Sequence, residues 1–201
     1  AVWIRSAKRM RTHKDVCYDP RHPAACRLDL FAPDGDFDTV FVYFHGGGLE
    51  YGDKESADVF APYLTSHGIA VVSANYRMYP NAAYPDFICD AAEAVAWANR
   101  YMKEEIGCDK LYVGGSSAGA YLSMMLCFDP RYLAPFKIKP TDIAGYIHDA
   151  GQPTTHFNVL RERGLDERKI VVDDIKLFGT YEFEVKLYQG ISAKLFVMVG
   201  E

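Results

Sequence analysis

No apolar run in the 201 residues approaches the roughly 20 needed to cross a bilayer, so the sequence contains no candidate membrane span. Nor does a charged-then-apolar secretory segment open the chain, and a cytoplasmic location is the matching expectation. The chain begins at Ala1 rather than Met, which leaves upstream sequence open. Cysteine is scarce and scattered: the five are Cys17, Cys26, Cys89, Cys108 and Cys127. An odd number at such spacings fits neither a disulfide framework nor a zinc site, so reduced packing residues are expected and no metal. Pairing of Cys17 with Cys26 across two early strands is the alternative. Charge of one sign is also in short supply. A formal net charge of −5 gives no reason to expect nucleic acid or an anionic membrane surface as partner. The basic residues Arg5, Lys8, Arg9, Arg11 and Lys14 read as a solvated terminal face. Internal repeats and low-complexity linkers are missing too, and a chain of this length reads as a single domain spanning 1–201.

Apolar residues, by contrast, make up 49% of the chain, enough for a substantial core. They fall in short runs that alternate with helical patterns, the mark of an α/β protein with a mostly parallel sheet and helices on both faces. Cys26–Phe31 reads as a half-buried strand ending in the turn Ala32–Gly35. Thr39–His45 is an unbroken apolar and aromatic run, as expected of a strand buried on both faces. Ser56–His67 reads as a helix closed by Gly68, and Ile69–Asn75 as another strand. After Pro85, with Asp86 at the N-terminus, Ile88, Ala91, Ala92, Val95, Ala98 and Met102 recur at helical spacing and should face the sheet. Lys110–Gly115 is expected as a strand, Ala118–Cys127 as a helix, Ile143–Asp149 as a strand, Thr154–Lys169 as a polar helical segment, and Lys194–Val199 as a final strand.

Between the fourth of these strands and its helix stands Gly115-Ser116-Ser117-Ala118-Gly119, a match to G-x-S-x-G. Such a pentapeptide is weak evidence alone, because small residues recur by chance. Its setting, strand before and helix after, is the one that nucleophile chemistry requires. A turn this sharp holds the serine in a strained backbone conformation and brings positions two before and two after it together, hence Gly115 and Gly119. Ser117 would then stand exposed at a helix N-terminus, where the Ala118 N–H can donate to a developing oxyanion. An ordinary glycine-rich turn is the bland alternative. Ser116 lacks glycines at the flanking positions and is rejected as nucleophile.

A second glycine run, His45-Gly46-Gly47-Gly48, follows the strand Val40–Phe44. In open α/β sheets ligands bind at that edge. Successive glycines leave backbone N–H groups uncovered, so Gly47 and Gly48 are expected as oxyanion donors beside Ala118. Gly46 and His45 are expected as supports, His45 bracing the loop rather than acting as base. Two such motifs, each after a buried strand, make coincidence a poor account.

With Tyr51-Gly52-Asp53-Lys54, Asn75-Tyr76-Arg77-Met78-Tyr79-Pro80 and Tyr84-Pro85, these motifs follow the order found in hormone-sensitive-lipase-like α/β-hydrolases. The chain resembles most the small carboxylesterases and feruloyl-esterase-like enzymes of that superfamily, over roughly 29–151. The resemblance implies an α/β-hydrolase fold, a Ser–Asp–His triad, no metal or organic cofactor, and structural roles for Asp53 and Arg77. Two positions depart from the pattern: Leu49, where an aromatic often follows the glycines, and Ala120, where glycine is common.

In this fold the acid and the histidine follow the serine in sequence. Lys194–Glu201 resembles the strand that delivers the acid, which places both partners beyond Glu201 and makes the last strand and the C-terminal helix absent. Within the chain only His148 and His156 follow Ser117, with Asp149, Asp173 and Asp174 as nearby acids. For each of these a packing or solvated role is the favoured reading. The function expected is hydrolysis of a small or short-chain carboxylic ester through an acyl-enzyme, with an amidase or peptidase as runner-up. A hydrolase-like binding protein without activity is the alternative from another class. A small-molecule ester is thus the expected partner, with oligomeric state left open.

Overall fold

The computed structural model describes residues 10–107 and 110–151, with the backbone of 179–188 and 191–199. Six strands form one sheet: β1 (Met10–Cys17), β2 (Arg27–Pro33), β3 (Thr39–Phe44), β4 (Ile69–Ala74), β5 (Lys110–Ser116) and β6 (Gly145–Asp149). Their spatial order is β1-β2-β4-β3-β5-β6. The strands from β3 to β6 run parallel, while β2 is antiparallel to both β1 and β4. Strands that run parallel need crossovers, and helices supply them: α1 (Ala61–Ser66), α2 (Asp86–Tyr101) and α3 (Ala118–Phe128). The expected α/β architecture is therefore present.

Helix α2 forms where the apolar spacing predicts it. Ile88, Ala91, Ala92, Val95 and Ala98 are all buried, as is Met102 in the turn that continues the helix. Full burial of a side chain such as Ile88 or Val95 stabilises the fold by about 1.5–3 kcal/mol. Pro85 rather than Asp86 occupies the cap position, and Asp86 sits in the first turn. The helix expected over Ser56–His67 is divided: a 3-10 segment covers Lys54–Val59, and α1 begins only at Ala61. Gly68 then turns the chain with φ +82.

Two expectations about burial change. Strand β2 is buried along nearly its whole length rather than half-buried, because Leu28 and Leu30 enter the main core while Phe31 on the other face packs with Ala57 and Ala61. Strand β3 alternates instead of being buried on both faces. Val40, Val42 and Phe44 face the side packed by α2 and α3, whereas Phe41 and Tyr43 are half-buried on the other. The reason is uneven cover: α1 packs on β4 and β2, and the residues leading into it meet β3 at Tyr43, whose ring packs edge-on against Phe60 (centroids 4.8 Å). Ile147 on β6 shares that face and is 52% exposed.

The basic cluster is described at Arg11 and Lys14, both on edge strand β1. Lys14 is not merely solvated, since its ammonium pairs with fully buried Asp29 at 2.8 Å and with Asp58 at 2.8 Å. Cys17 and Cys26 are both free thiols, which excludes the disulfide alternative. Thr154–Lys169 lies outside the described residues. The strand expected over Lys194–Val199 exists as part of β8 (Ile191–Val199), but it pairs antiparallel with β7 (Gly179–Tyr188) in a two-stranded sheet of their own. This placement differs from the sequence expectation of a further strand resembling the one that delivers the triad acid. A hairpin satisfies backbone hydrogen bonds locally, and apolar spacing within one strand does not name its partner.

Candidate active site

Strand β5 leads directly into α3, and Ser117 is the single residue between them. It has φ 53 and ψ −113, a conformation that costs a non-glycine residue on the order of 1–3 kcal/mol. The surroundings enforce it. The Ser117 N–H donates to the Asp149 carbonyl at the end of β6 (2.8 Å), and its carbonyl accepts from Tyr121 in α3 (3.0 Å). The side chain of Ser117 is exposed, whereas Ala118, Gly119 and Ala120 behind it are buried. The first-turn N–H groups of α3 have no intrahelical acceptor, and they gather beside the serine.

The glycines expected from the motif are required by contact. A Cβ on Gly115 would lie 2.4 Å from the carbonyl carbon of Gly119, and one on Gly119 would lie 1.9 Å from the Phe44 oxygen. The helix thus starts against the ends of both β3 and β5, which only bare backbone permits.

The second glycine run meets the first. A Cβ on Gly46 would lie 3.3 Å from the Ser117 Cβ and 3.0 Å from the Ser116 oxygen. From there the loop turns through three residues with positive φ: Gly47 (117), Gly48 (64) and Leu49 (65). Glu50 and Tyr51 N–H groups close the turn onto the Gly47 carbonyl at 3.0 and 3.1 Å. Leu49 is fully buried, and its carbonyl accepts the Tyr79 N–H at 2.8 Å. Instead of an aromatic side chain, position 49 contributes an anchor.

His45 is 1% exposed and stacks on Tyr76, with ring centroids 4.5 Å apart. Its Nδ1 lies 2.7 Å from the Gly46 carbonyl, which only accepts, so Nδ1 carries the proton and donates. The Tyr76 hydroxyl donates to the His45 carbonyl at 2.8 Å. Burial pushes the imidazole pKa below its ordinary value. The return arm of the loop is clamped as well. Lys54 N–H donates to the Asn75 side-chain oxygen at 2.6 Å, and the Ser73 hydroxyl donates to the Lys54 carbonyl at 2.7 Å. The Lys54 ammonium, 5% exposed, pairs with buried Asp29 at 3.2 Å. Asp53 accepts from Glu55 N–H and from Asn75 Nδ2. Burial works against its charge, yet these hydrogen bonds and neighbouring Lys54 hold its carboxyl below the usual value. Arg77 grips Asp90 on α2 through two nitrogens, at 2.8 and 2.7 Å. Asp53 and Arg77 therefore sit where structural supports would. The bracing by Asn75, Tyr76, Ser73 and Asp29 had no sequence signal beyond membership of a motif, because its partners lie 19 or more residues apart.

The other described histidines are spread over β1, the turn after it, the end of α1 and β6. His148 Cα pairs with Gly115 in register, and its ring packs against Tyr146 (centroids 6.0 Å) and Phe128 (6.3 Å), the last residue of α3. Burial lowers its pKa. His13 is on edge strand β1, His22 in the turn after it, and His67 against Tyr63. His156, Asp173 and Asp174 lie outside the described residues. One grouping of metal-ligand side chains occurs among the described residues, Asp19, Cys26 and Asp90. Both carboxylates are already bound by arginines, Asp19 by Arg21 and Asp90 by Arg77, so the cluster is accounted for by ion pairing.

A protein-family model described as the alpha/beta hydrolase fold matches residues 41–147, more than half of the chain. The chain belongs to that family. This α/β-hydrolase is 31% identical to the carboxylic ester hydrolase LipN of Mycobacterium tuberculosis over 121 residues, covering 58% of the chain and 32% of LipN. It is 26% identical to an acetyl esterase of Salmonella schwarzengrund over 124 residues, covering 61% of the chain and 38% of that protein. Among solved structures it resembles the hyperthermophilic esterase of Pyrobaculum calidifontis, at 28% identity and TM-score 0.51, over 61% of this chain and 40% of that one. The chain thus spans about a third of the length of the curated relatives it matches. No helix of the described residues is long and apolar enough to cross a membrane.

Proposed function

We propose that this α/β-hydrolase acts as a serine carboxylic ester hydrolase on small or short-chain esters, with Ser117 as the nucleophile. The Ser117 hydroxyl oxygen attacks the ester carbonyl carbon, and its proton passes to a general base. Backbone N–H groups of Gly47, Gly48 and Ala118 hold the tetrahedral oxyanion. The alcohol leaves with a proton, and water then releases the acid from the acyl-enzyme. Gly46, Gly115 and Gly119 permit the close approach, and His45 braces the donor loop. The family order of serine, acid and histidine puts the base after Ser117 in the chain, and neither partner is assigned to a described residue.

The observation that carries this reading is the contact of the two loops: an exposed, strained serine at a helix N-terminus, touching a glycine run with positive φ. LipN and the acetyl esterase, whose names state ester hydrolysis, support the choice of esters. One observation favours a second reading, a binding protein on a hydrolase scaffold: the ring of His148, the described histidine that follows Ser117 in the chain, packs beside Tyr146 and Phe128. Hydrolysis of p-nitrophenyl acetate by the chain and by its Ser117→Ala variant tests the esterase reading. It expects turnover that falls by about a thousandfold or more in the variant. Equal, background rates in two folded proteins would point to the binding reading or to a triad that these 201 residues do not complete.

A further inference from the structure

Each oxyanion donor named above is half of a peptide unit, and a trans peptide is flat, with its C=O and N–H on opposite sides. Whatever holds the carbonyl therefore aims the N–H. The Ala118 N–H shares its peptide with the Ser117 carbonyl, which accepts from Tyr121 in α3 at 3.0 Å. The Gly48 N–H shares its peptide with the Gly47 carbonyl, held by the Glu50 and Tyr51 N–H groups. Backbone aims both of these. The Gly47 N–H differs, because the carbonyl of its trans peptide, that of Gly46, is held by a side chain: His45 Nδ1 lies 2.7 Å away.

The surroundings leave His45 one arrangement. Its ring is stacked on Tyr76, and its own carbonyl accepts the Tyr76 hydroxyl. Bare Gly52 backbone covers the bond to Gly46: a Cβ there would lie 2.3 Å from Nδ1 and 2.5 Å from the Gly46 oxygen. Nε2 is buried without a hydrogen-bond partner among the described residues, and the amide of neighbouring Asn75 is committed to Lys54 N–H and Asp53. A proton on Nε2 would be an orphaned buried donor, and bare Nδ1 would then face the Gly46 oxygen, acceptor against acceptor. On Nδ1 the same proton makes the bond. Turning the peptide over would set the Gly46 oxygen where the Gly47 N–H stands, a partial negative charge against the oxyanion. Among the described residues no acceptor meets the Gly47 N–H, which leaves it to a ligand.

We propose that His45 is a positioning residue for ester cleavage, whose Nδ1–H holds the Gly46 carbonyl and thereby aims the Gly47 N–H at the oxyanion. Its catalytic meaning rests on the function proposed above. A brace needs only a side chain of the right bulk, whereas an aimed peptide needs a proton at one atom.

Two substitutions separate these roles: His45→Leu keeps bulk without a donor, and His45→Asn can set an amide N–H where Nδ1 stands. With p-nitrophenyl acetate, kcat should fall about 10²-fold in His45→Leu, the size of one lost oxyanion donor, with KM within about threefold of wild type. His45→Asn should recover kcat to within about tenfold of wild type. Equal losses in the two variants, or a loss carried by KM, would overturn the assignment. Two readouts need no turnover. Nitrogen NMR of the wild-type chain at pH 8 should find His45 protonated at Nδ1 and bare at Nε2. A crystal structure of His45→Leu should show the Gly46–Gly47 peptide rotated. A proton on Nε2 or an unmoved peptide overturns the assignment even in an active chain. If the wild-type chain hydrolyses no ester while both readouts come out as expected, the esterase reading fails and the aiming of the peptide stands.

Discussion

The two glycine-rich loops that meet at Ser117 use glycine for different reasons. In the elbow, Gly115 and Gly119 have ordinary backbone conformations and are needed because other backbone occupies the place of a side chain, as near as 1.9 Å. In the oxyanion loop, Gly47 and Gly52 are needed twice over, with φ of 117 and 112 and with neighbours at 1.9 and 2.3 Å. The elbow is a local device, a strand, a turn and a helix in 19 consecutive residues. The oxyanion loop is held from a distance, by Tyr76, Asn75, Ser73 and Asp29. The elbow should therefore be brittle and global in its failures, and the loop softer, losing geometry before the fold is lost.

The largest effect expected is that of Gly119→Ala. Its new methyl has only backbone to displace, so destabilisation of about 3 kcal/mol or more is expected, the upper range for overpacking. Thermal unfolding should show a melting temperature lower by about 10 °C, or no folded protein. A change of only a few degrees would break the distinction between the loops. Gly47→Ala comes next. It should distort the loop with a smaller loss of melting temperature, yet reduce esterase turnover by about 10²–10³-fold if the loop supplies the oxyanion donors. A variant that unfolds as readily as Gly119→Ala would show that the loop is no softer than the elbow.

Acid sharpens the contrast, because the elbow turn of residues 115–119 contains no side chain that titrates in acid, whereas the loop leans on His45. Burial lowers the pKa of His45 in the folded state, so above about 6.5 both folded and unfolded chains carry it neutral. As the pH falls through 6.5 the unfolded chain takes up the proton first, and stability is lost. Half-buried His148 contributes in the same direction. Urea unfolding followed from pH 7.5 to 5 should show this loss, and His45→Asn should remove part of it. An unchanged slope in that variant would detach His45 from the loop's stability.

The smallest effects isolate conformation from contact. Gly68 has φ +82 but open space where a Cβ would stand, so Gly68→Ala should cost about 1 kcal/mol through backbone strain alone. Gly35 has neither constraint, and Gly35→Ala should stay within about 0.5 kcal/mol of wild type by denaturant midpoint. Equal losses at 35 and 68 would mean that positive φ is not what separates them.

Much of this arrangement was legible in the residues because the signals were local. The spacing of Ile88, Ala91, Ala92, Val95 and Ala98 marks a helical face whatever packs against it, and all are buried. Gly115 and Gly119 flank Ser117 at the spacing that a sharp strand-to-helix turn needs, and the strand before and helix after give that spacing its weight. The rest depends on which segments meet. Apolar alternation marks Lys194–Val199 as a strand but does not choose its partner, and the hairpin with β7 follows from pairing, not composition. Phe41 and Tyr43 belong to an unbroken apolar run, yet they are half-buried because α1 packs mainly on β2 and β4, with Phe60 meeting β3 at Tyr43.

By itself, then, the sequence determined the parallel α/β pattern, the sharp turn at Ser117 and the glycine run after β3, since each is written in neighbouring residues. Only the tertiary structure decided that Gly46 touches Ser117, that His45 stacks on Tyr76, that Asn75 and Asp29 clamp the return arm, and that His148 turns to Phe128. Those contacts join residues far apart in the chain, and burial removes the water that would otherwise satisfy their polar groups, so packing rather than local preference fixes their partners.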